Sequence, residues 1–170
     1  MTDFLVCYNW MMDNEDSQRK YATVPDAPPG AQAISGINSA AYPSEFASIN
    51  ALPQNQRGPA VQNFYQVRFW NQWYDQLVMN DIAKRVFDCA VNNGPGTAVK
   101  LLQSAANFVG CGIVVDGVWG PATVNATNGC GISQIVPAFQ QARISRYKAI
   151  VQANPSNQKY LAQWIARAEK

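Results

Sequence analysis

The chain has no histidine. Ser-His-Asp and Cys-His nucleophile schemes are therefore excluded, as are nearly all zinc sites, and any hydrolytic chemistry must rest on carboxylates. The carboxylate best placed for it is Glu15. Phe4, Tyr8, Met11 and Glu15 recur at i, i+4, i+7 and i+11 and so share one face of a helix. Leu5 and Met12 widen that face, while Val6, Cys7 and Trp10 leave little of the circumference polar. A helix apolar nearly all round is normally buried. Glu15 then stands at the mouth of an apolar site, near the negative end of the helix dipole. Desolvation and the dipole both disfavour the ionised form, which is what a general acid requires. The plain alternative is a solvated, frayed helix end beside Asp13 and Asp16, and at this point both readings stay open.

The elements that must position Glu15 follow from the punctuation of the chain. Ser17 to Ile34 carries Pro25, Pro28, Pro29 and Gly30 with no apolar period, so it reads as a long irregular loop, a kind that is usually functional. Tyr42-Pro43-Ser44-Glu45-Phe46 reads as a short helix with Pro near its start. A helical pattern resumes at Pro59 through Val61, Phe64, Tyr65, Arg68 and Phe69, leading into Trp70 and Trp73-Tyr74. Asn80 or Asp81 can cap the next helix, through Ile82, Val86, Cys89 and Ala90. Its polar stripe of Asp81, Lys84, Asp88 and Asn92 is either a solvated face or the floor of a cleft. Asn93-Gly94-Pro95-Gly96 breaks the chain, and Thr97 can cap a helix from Ala98 to Phe108. Asp116-Gly117-Val118-Trp119-Gly120-Pro121 forms a tight turn. Ile132 to Gln152, with a kink expected at Pro137, and Ser156 to Ala168 close the fold. Strand signal is confined to a few residues at Ile113 to Val115, so the fold class is all-α or nearly so.

At 170 residues the chain fits one domain, or one domain with two lobes, and can bury a proper core. A net charge of +2 is too small to argue for nucleic acid. Its distribution says more, because six Asp/Glu against two Lys/Arg lie up to Gln56, and five against eleven lie beyond it. The acidic first part suits an acid-bearing cleft, and the basic remainder tolerates anionic polymers. FLVCYNWMM is too short to span a bilayer and lacks the basic start of a secretory signal, so action outside the cytoplasm requires a separate export route. The four cysteines are not spaced as metal ligands. Cys7 and Cys89 read as buried helix thiols. Cys111 and Cys130, each between two glycines, bracket the turn-rich segment, and the spacing leaves open whether they pair.

One resemblance covers almost the whole chain. Val86-Phe87-Asp88-Cys89-Ala90-Val91-Asn92-Asn93-Gly94-Pro95-Gly96, then Ala98, Lys100 and Leu101-Leu102-Gln103, then Asp116-Gly117-Val118-Trp119-Gly120-Pro121-Ala122-Thr123 resemble the lysozyme-like N-acetylmuramidases of glycoside hydrolase family 108. That family includes phage endolysins and carries a C-terminal peptidoglycan-binding region. Tyr65 to Trp70, Asn154-Pro155 and Tyr160 to Trp164 are similar to its flanking segments. The resemblance implies a single lysozyme-like helical domain over 1–170, with a 1–92 lobe carrying the catalytic Glu and a 93–170 peptidoglycan-binding-like lobe. In the family the first helix ends in a catalytic Glu, usually followed by Gly-Gly-Tyr, a loop with an Asp and a Thr, and then Gly-Ile. Glu15 takes the Glu place and Gly36-Ile37 the Gly-Ile place, with Asp26 the best match to the loop carboxylate. This chain departs from the pattern: Asp16-Ser17 replaces the paired glycines, the loop is longer, and Ala33 stands where the Thr aligns. Gln32 or Ser35 can substitute as the polar anchor.

The resemblance implies hydrolysis of the β-1,4 bond between N-acetylmuramic acid and N-acetylglucosamine, hence cell-wall lysis. Glu15 is expected to be the acid, Asp26 its helper, Gln32 an anchor, and Tyr65, Trp70 and Asn92 the groove for the glycan. No metal or cofactor is expected. The expected partner is the peptidoglycan glycan strand, met by a monomer, without nucleic acid or membrane insertion, and joined by an immunity protein if the chain is an interbacterial effector. Synthesis in the cytoplasm and delivery through a holin-type pore or a specialised exporter are expected. The rival reading is a non-catalytic peptidoglycan-binding module.

Overall fold

The computed structural model describes residues 2–170. It is mostly helical, with one small sheet. The chain divides into two compact units, one of Tyr8–Trp70 and one of Met1–Cys7 with Asn71–Lys170. Positions 92 and 93, where the sequence reading places its lobe boundary, both lie in the second unit. No helix among the described residues is long and apolar enough to cross a membrane.

Helix α1 spans Phe4–Glu15. Asp3 starts it by accepting the Leu5 N–H at 2.7 Å. Its buried stripe is Phe4, Cys7, Tyr8, Met11 and Met12, the i, i+3, i+4, i+7, i+8 pattern of an amphipathic helix. Leu5 and Val6 are exposed, so the helix is one-sided rather than apolar all round. Trp10, between the two sides, is half-buried.

The expected irregular loop after α1 is in fact a sheet. Strands β1 (Thr23–Asp26), β2 (Ala31–Ile34) and β3 (Ile37–Asn38) pair antiparallel in the order β1-β2-β3. Thr23 pairs with Ile34 and Asp26 with Ala31, while Ile34 pairs with Ile37. Pro25 is tolerated because β1 is an edge strand with no partner on its outer side. Ser35 and Gly36 make the two-residue β2–β3 turn with φ of 48° and 83°, the pair of positive values that a tight hairpin of this twist demands.

Helices α2 (Pro43–Asn50) and α3 (Arg57–Phe69) complete this unit. The buried Arg57 guanidinium ties them to the sheet. It donates to the backbone oxygens of Leu52, Tyr21 and Asn50 and to the side chains of Thr23 and Asn50. All five of its donors are thereby used.

The other unit contains α4 (Gln72–Asp75), α5 (Asn80–Asn93), α6 (Pro95–Phe108), α7 (Pro121–Gly129), α8 (Ile132–Ala153) and α9 (Leu161–Glu169), with a 3-10 turn at Pro155–Tyr160. Helix α6 starts at Pro95, with Gly94 before it, rather than at a Thr97 cap. Helix α8 runs on through Pro137. Ile113 to Val115 form no strand. Asp88 corrects the polar-stripe reading of α5, being fully buried rather than solvated or lining a cleft floor. Its Oδ2 accepts from Arg143 Nη2 at 2.8 Å and its Oδ1 from Arg167 Nη2 at 2.7 Å, which ties α5 to α8 and α9. Burial opposes the Arg143 charge, but Asp88, with smaller help from Cys89 and Tyr147, outweighs it and holds the guanidinium protonated.

The Asp116–Trp119 turn is organised by one buried amide. Gln103 Nε2 donates to Asp116 Oδ1, Thr123 Oγ1 and the Val118 carbonyl, and its Oε1 accepts the Gly117 N–H at 2.8 Å. Gly117 has φ +79°, and a Cβ there would meet the Gly96 carbonyl oxygen at 2.9 Å. Trp119 stacks edge-on against Tyr74, centroids 5.2 Å apart.

Candidate functional site

Five of the six residues selected from the sequence, Glu15, Asp26, Gln32, Tyr65 and Trp70, lie in the unit of Tyr8–Trp70, and Asn92 lies in the other. Within the first unit the structure brings Glu15 and Tyr65 together around one backbone position. Glu15 is the last residue of α1 and is half-buried. The tip of the β2–β3 hairpin approaches it so closely that only glycine fits. A Cβ on Gly36 would fall 2.8 Å from the Tyr65 hydroxyl oxygen and 2.9 Å from Glu15 Cδ. The positive φ at the same residue gives a second reason for glycine. Tyr65 is buried, donates its hydroxyl to the Ser35 carbonyl at 2.7 Å, and so fixes the hairpin tip against the carboxylate.

Asp16, which the sequence offered only as a frayed-end neighbour and a departure from a glycine pair, holds the other side of that tip. Its carboxylate accepts from the Tyr21 N–H at 2.7 Å, the Ser35 hydroxyl at 2.8 Å and the Lys20 N–H at 3.0 Å. Burial pushes this carboxyl upward, yet the bonds from Tyr21, Ser35 and Lys20 and the charge of Arg19 outweigh it and hold it below the usual carboxylate range. Asp16 is thus kept ionised as an acceptor. Ser35, one of the two polar residues considered beside Gly36, is bonded to Asp16 in the fold, and no local pattern in the sequence points to Asp16. Arg19 (φ 51°) bends the chain back, donating to the Asp16 and Asn9 carbonyls and to Asp13 Oδ1.

Asp26 and Gln32 stand apart from each other. Cross-strand partners share a face of a sheet, and neighbours along a strand alternate. Gln32 opposes Pro25 and Asp26 opposes Ala31, so the two side chains leave opposite faces of the hairpin. Asp26 Oδ2 accepts from Asn38 Nδ2 at 2.7 Å and Oδ1 from the Ala27 N–H at 2.8 Å. Asp26 is three rungs, roughly 10 Å of strand, from the Thr23–Ile34 rung that adjoins Ser35 and Gly36. The Gln32 side chain is exposed, while its backbone pairs with Ser39. Trp70 is half-buried at the C-cap of α3. Asn92, exposed on α5, accepts from Tyr147 Oη at 2.8 Å and from Asn93 Nδ2 at 2.9 Å. Among the described residues, no three His, Cys, Asp or Glu side chains gather as a metal would require.

A second feature lies in the other unit. The ring of Phe108, at the end of α6, is 84% exposed. Two hollows flank it, of about 310 and 770 Å³, both against α8. Gln134, Gln141, Ser104 and Ser145 supply their polar atoms, and no charged side chain lines either. Apolar side chains, Phe108 and Ala138 among them, make up the greater part of both linings. The hollow between α2 and α3, about 370 Å³, contains none of the residues selected from the sequence.

Residues 97–169 match the family described as Predicted Peptidoglycan domain. This stretch begins in α6 and ends with α9, so it includes Phe108, the Gln103-held turn and both arginines of the Asp88 cluster. No curated protein sequence matches the chain. Among solved structures, that of Brucella abortus SagA has a similar fold, with a TM-score of 0.66 over 97% of this chain and 92% of that one, at 22% sequence identity.

Proposed function

We propose that this chain is a peptidoglycan hydrolase that cleaves the β-1,4 bond between N-acetylmuramic acid and N-acetylglucosamine, as the glycoside hydrolase family 108 pattern in its sequence suggests. The observation that carries this reading is the setting of Glu15. Its carboxyl group closes an amphipathic helix, half-exposed, against a glycine backbone and a tyrosine hydroxyl. The peptidoglycan family match over residues 97–169 supports the substrate class.

Glu15 donates a proton to the leaving glycosidic oxygen as the bond breaks. Tyr65 and Asp16 hold the Ser35-Gly36 tip and thereby the wall beside Glu15. Asp26, kept in place by Asn38, activates the attacking water. The test is mass spectrometry of fragments released from purified peptidoglycan. New reducing N-acetylmuramic acid ends are expected from the native chain and none from Glu15→Gln. Undiminished release by that variant removes Glu15 from the mechanism.

One observation favours a second reading, a binding module without catalysis. The family match lies wholly outside the unit that holds Glu15, and the neutral hollows at Phe108 lie within it. Co-sedimentation with peptidoglycan without any new reducing end selects this reading.

A further inference from the structure

The four thiols differ sharply in environment. Cys7 and Cys89 are fully buried, and burial pushes them up to about 12 and about 11. Cys111 and Cys130 are half-exposed at the two ends of the segment that contains the Gln103-held turn and α7. Their Sγ atoms are 3.1 Å apart. Both face one acceptor, the Ala126 carbonyl oxygen, at 3.7 and 3.0 Å. The glycines beside Cys111, Gly110 (φ +100°) and Gly112 (φ +65°), sit in conformations open to few other residues. Backbone of this kind can accommodate the further approach to a bond of ~2.05 Å.

We propose that Cys111 and Cys130 are a modification site, oxidised to a disulfide by exchange with a small-molecule disulfide or a disulfide-bearing oxidoreductase. One thiolate attacks the S–S bond of the oxidant and displaces one of its sulfurs. The other thiolate attacks the resulting mixed disulfide and displaces the second. The Cys111–Cys130 bond forms, the oxidant is reduced to two thiols, and the two hydrogens lost by the protein end on those thiols. Cellular compartments that oxidise thiols are the ones where such a bond persists.

The position of the bond gives it a consequence. Cys111 follows Phe108, Val109 and Gly110, which form one wall of the larger hollow. Cys130 precedes the start of α8, which supplies Gln134 and Pro137 on the other wall. The disulfide therefore pins the two walls to each other. This inference does not depend on whether the chain cuts glycan.

The experiment uses the full chain equilibrated with oxidised glutathione, then alkylated and mapped without reduction. The expected product has lost two hydrogens and contains one linked peptide pair, Cys111 with Cys130, with Cys7 and Cys89 still as thiols. Burial, and then Cys111 itself, push the Cys130 thiol up to about 11, so exchange should speed up toward alkaline pH as more thiolate forms. Proteolysis within residues 109–131 should be several times slower than in the dithiothreitol-treated chain. Cys111→Ser should instead leave a stable glutathione adduct on Cys130 and redox-independent proteolysis. Stable adducts on both native cysteines, linked dimers, or a bond to Cys7 or Cys89 overturn the pairing. A correct bond with unchanged proteolysis overturns the pinning.

Discussion

In the unit built mainly from residues 71–170, Asp88 is fully buried and both its oxygens face guanidinium groups. In the unit of residues 8–70, Glu15 is half-exposed and lies against a glycine backbone and a tyrosine hydroxyl. The first carboxylate is committed to holding three helices. Removing its charge would leave the buried Arg143 and the half-buried Arg167 without their shared counter-charge. The second is set at a surface where a ligand can approach. Glycine at position 36 keeps that approach narrow, and neighbours that are themselves anchored, Ser35 by Tyr65 and Asp16, keep it rigid. A carboxylate used for structure is enclosed by charge. The one proposed for proton transfer is enclosed by shape.

The contrast can be broken most directly by exchanging acid for amide at each site. Glu15→Gln should lower peptidoglycan hydrolysis by about a hundredfold to ten-thousandfold, the range for loss of a general acid, with thermal unfolding unchanged. A large fall in melting temperature would assign Glu15 to structure alongside Asp88. Asp88→Asn should do the reverse, costing about 3–5 kcal/mol in denaturant unfolding, the usual result of breaking a buried ion pair. Arg143 makes the cost steep, because its Nε and Nη1 are already buried without acceptors. A stability loss under about 1 kcal/mol would place this cluster with ordinary surface pairs.

Gly36→Ala tests enclosure by shape. The added methyl meets Glu15 and Tyr65 in a conformation that alanine resists, so about 1–3 kcal/mol of stability should be lost, and activity should fall with it. An active and equally stable variant would show that the hairpin tip moves freely. The smallest effect is expected from Asp16→Asn. The Asp16 carboxyl is held below its ordinary value, so its contribution is present above the unfolded pKa, about 3.9, and is lost as pH falls through the lower folded value. The native chain should therefore destabilise below about pH 4 more steeply than the variant. Equal slopes in acid unfolding would detach Asp16 from the hairpin anchor.

Much of the helical framework was legible because it is written in local periodicity. Pro43 starts α2, the Ile82–Val86–Cys89 stripe marks α5, and the apolar face ending at Glu15 marks α1. The sheet was not legible, because Pro25 reads as a breaker although an edge strand tolerates it, and Pro28, Pro29 and Gly30, which form the turn between β1 and β2, read as the middle of a loop. Asp88 was misread for a different reason. Its partners lie 55 and 79 residues away, beyond any local pattern, and a buried carboxylate on a helix looks like a solvated one until they are known. At the candidate site, the position of Glu15 and its link to Gly36-Ile37 came from motif order. The work of Asp16 did not, since an Asp after a helix end is common and only the folded hairpin brings Ser35 to it.

The distances along the chain between Asp88 and its arginines bear on the order of assembly. During synthesis Asp88 emerges well before Arg143 and Arg167. A carboxylate bound for a dry site must keep its water until those cations arrive, so α5 cannot settle early. Arg57, by contrast, finds Tyr21, 36 residues upstream, already made when it appears. The smaller unit can thus form while the chain is still growing, and the larger one waits for α9. Pulse-labelling hydrogen exchange during refolding, with earlier protection in α3 than in α5, is the signature of that order.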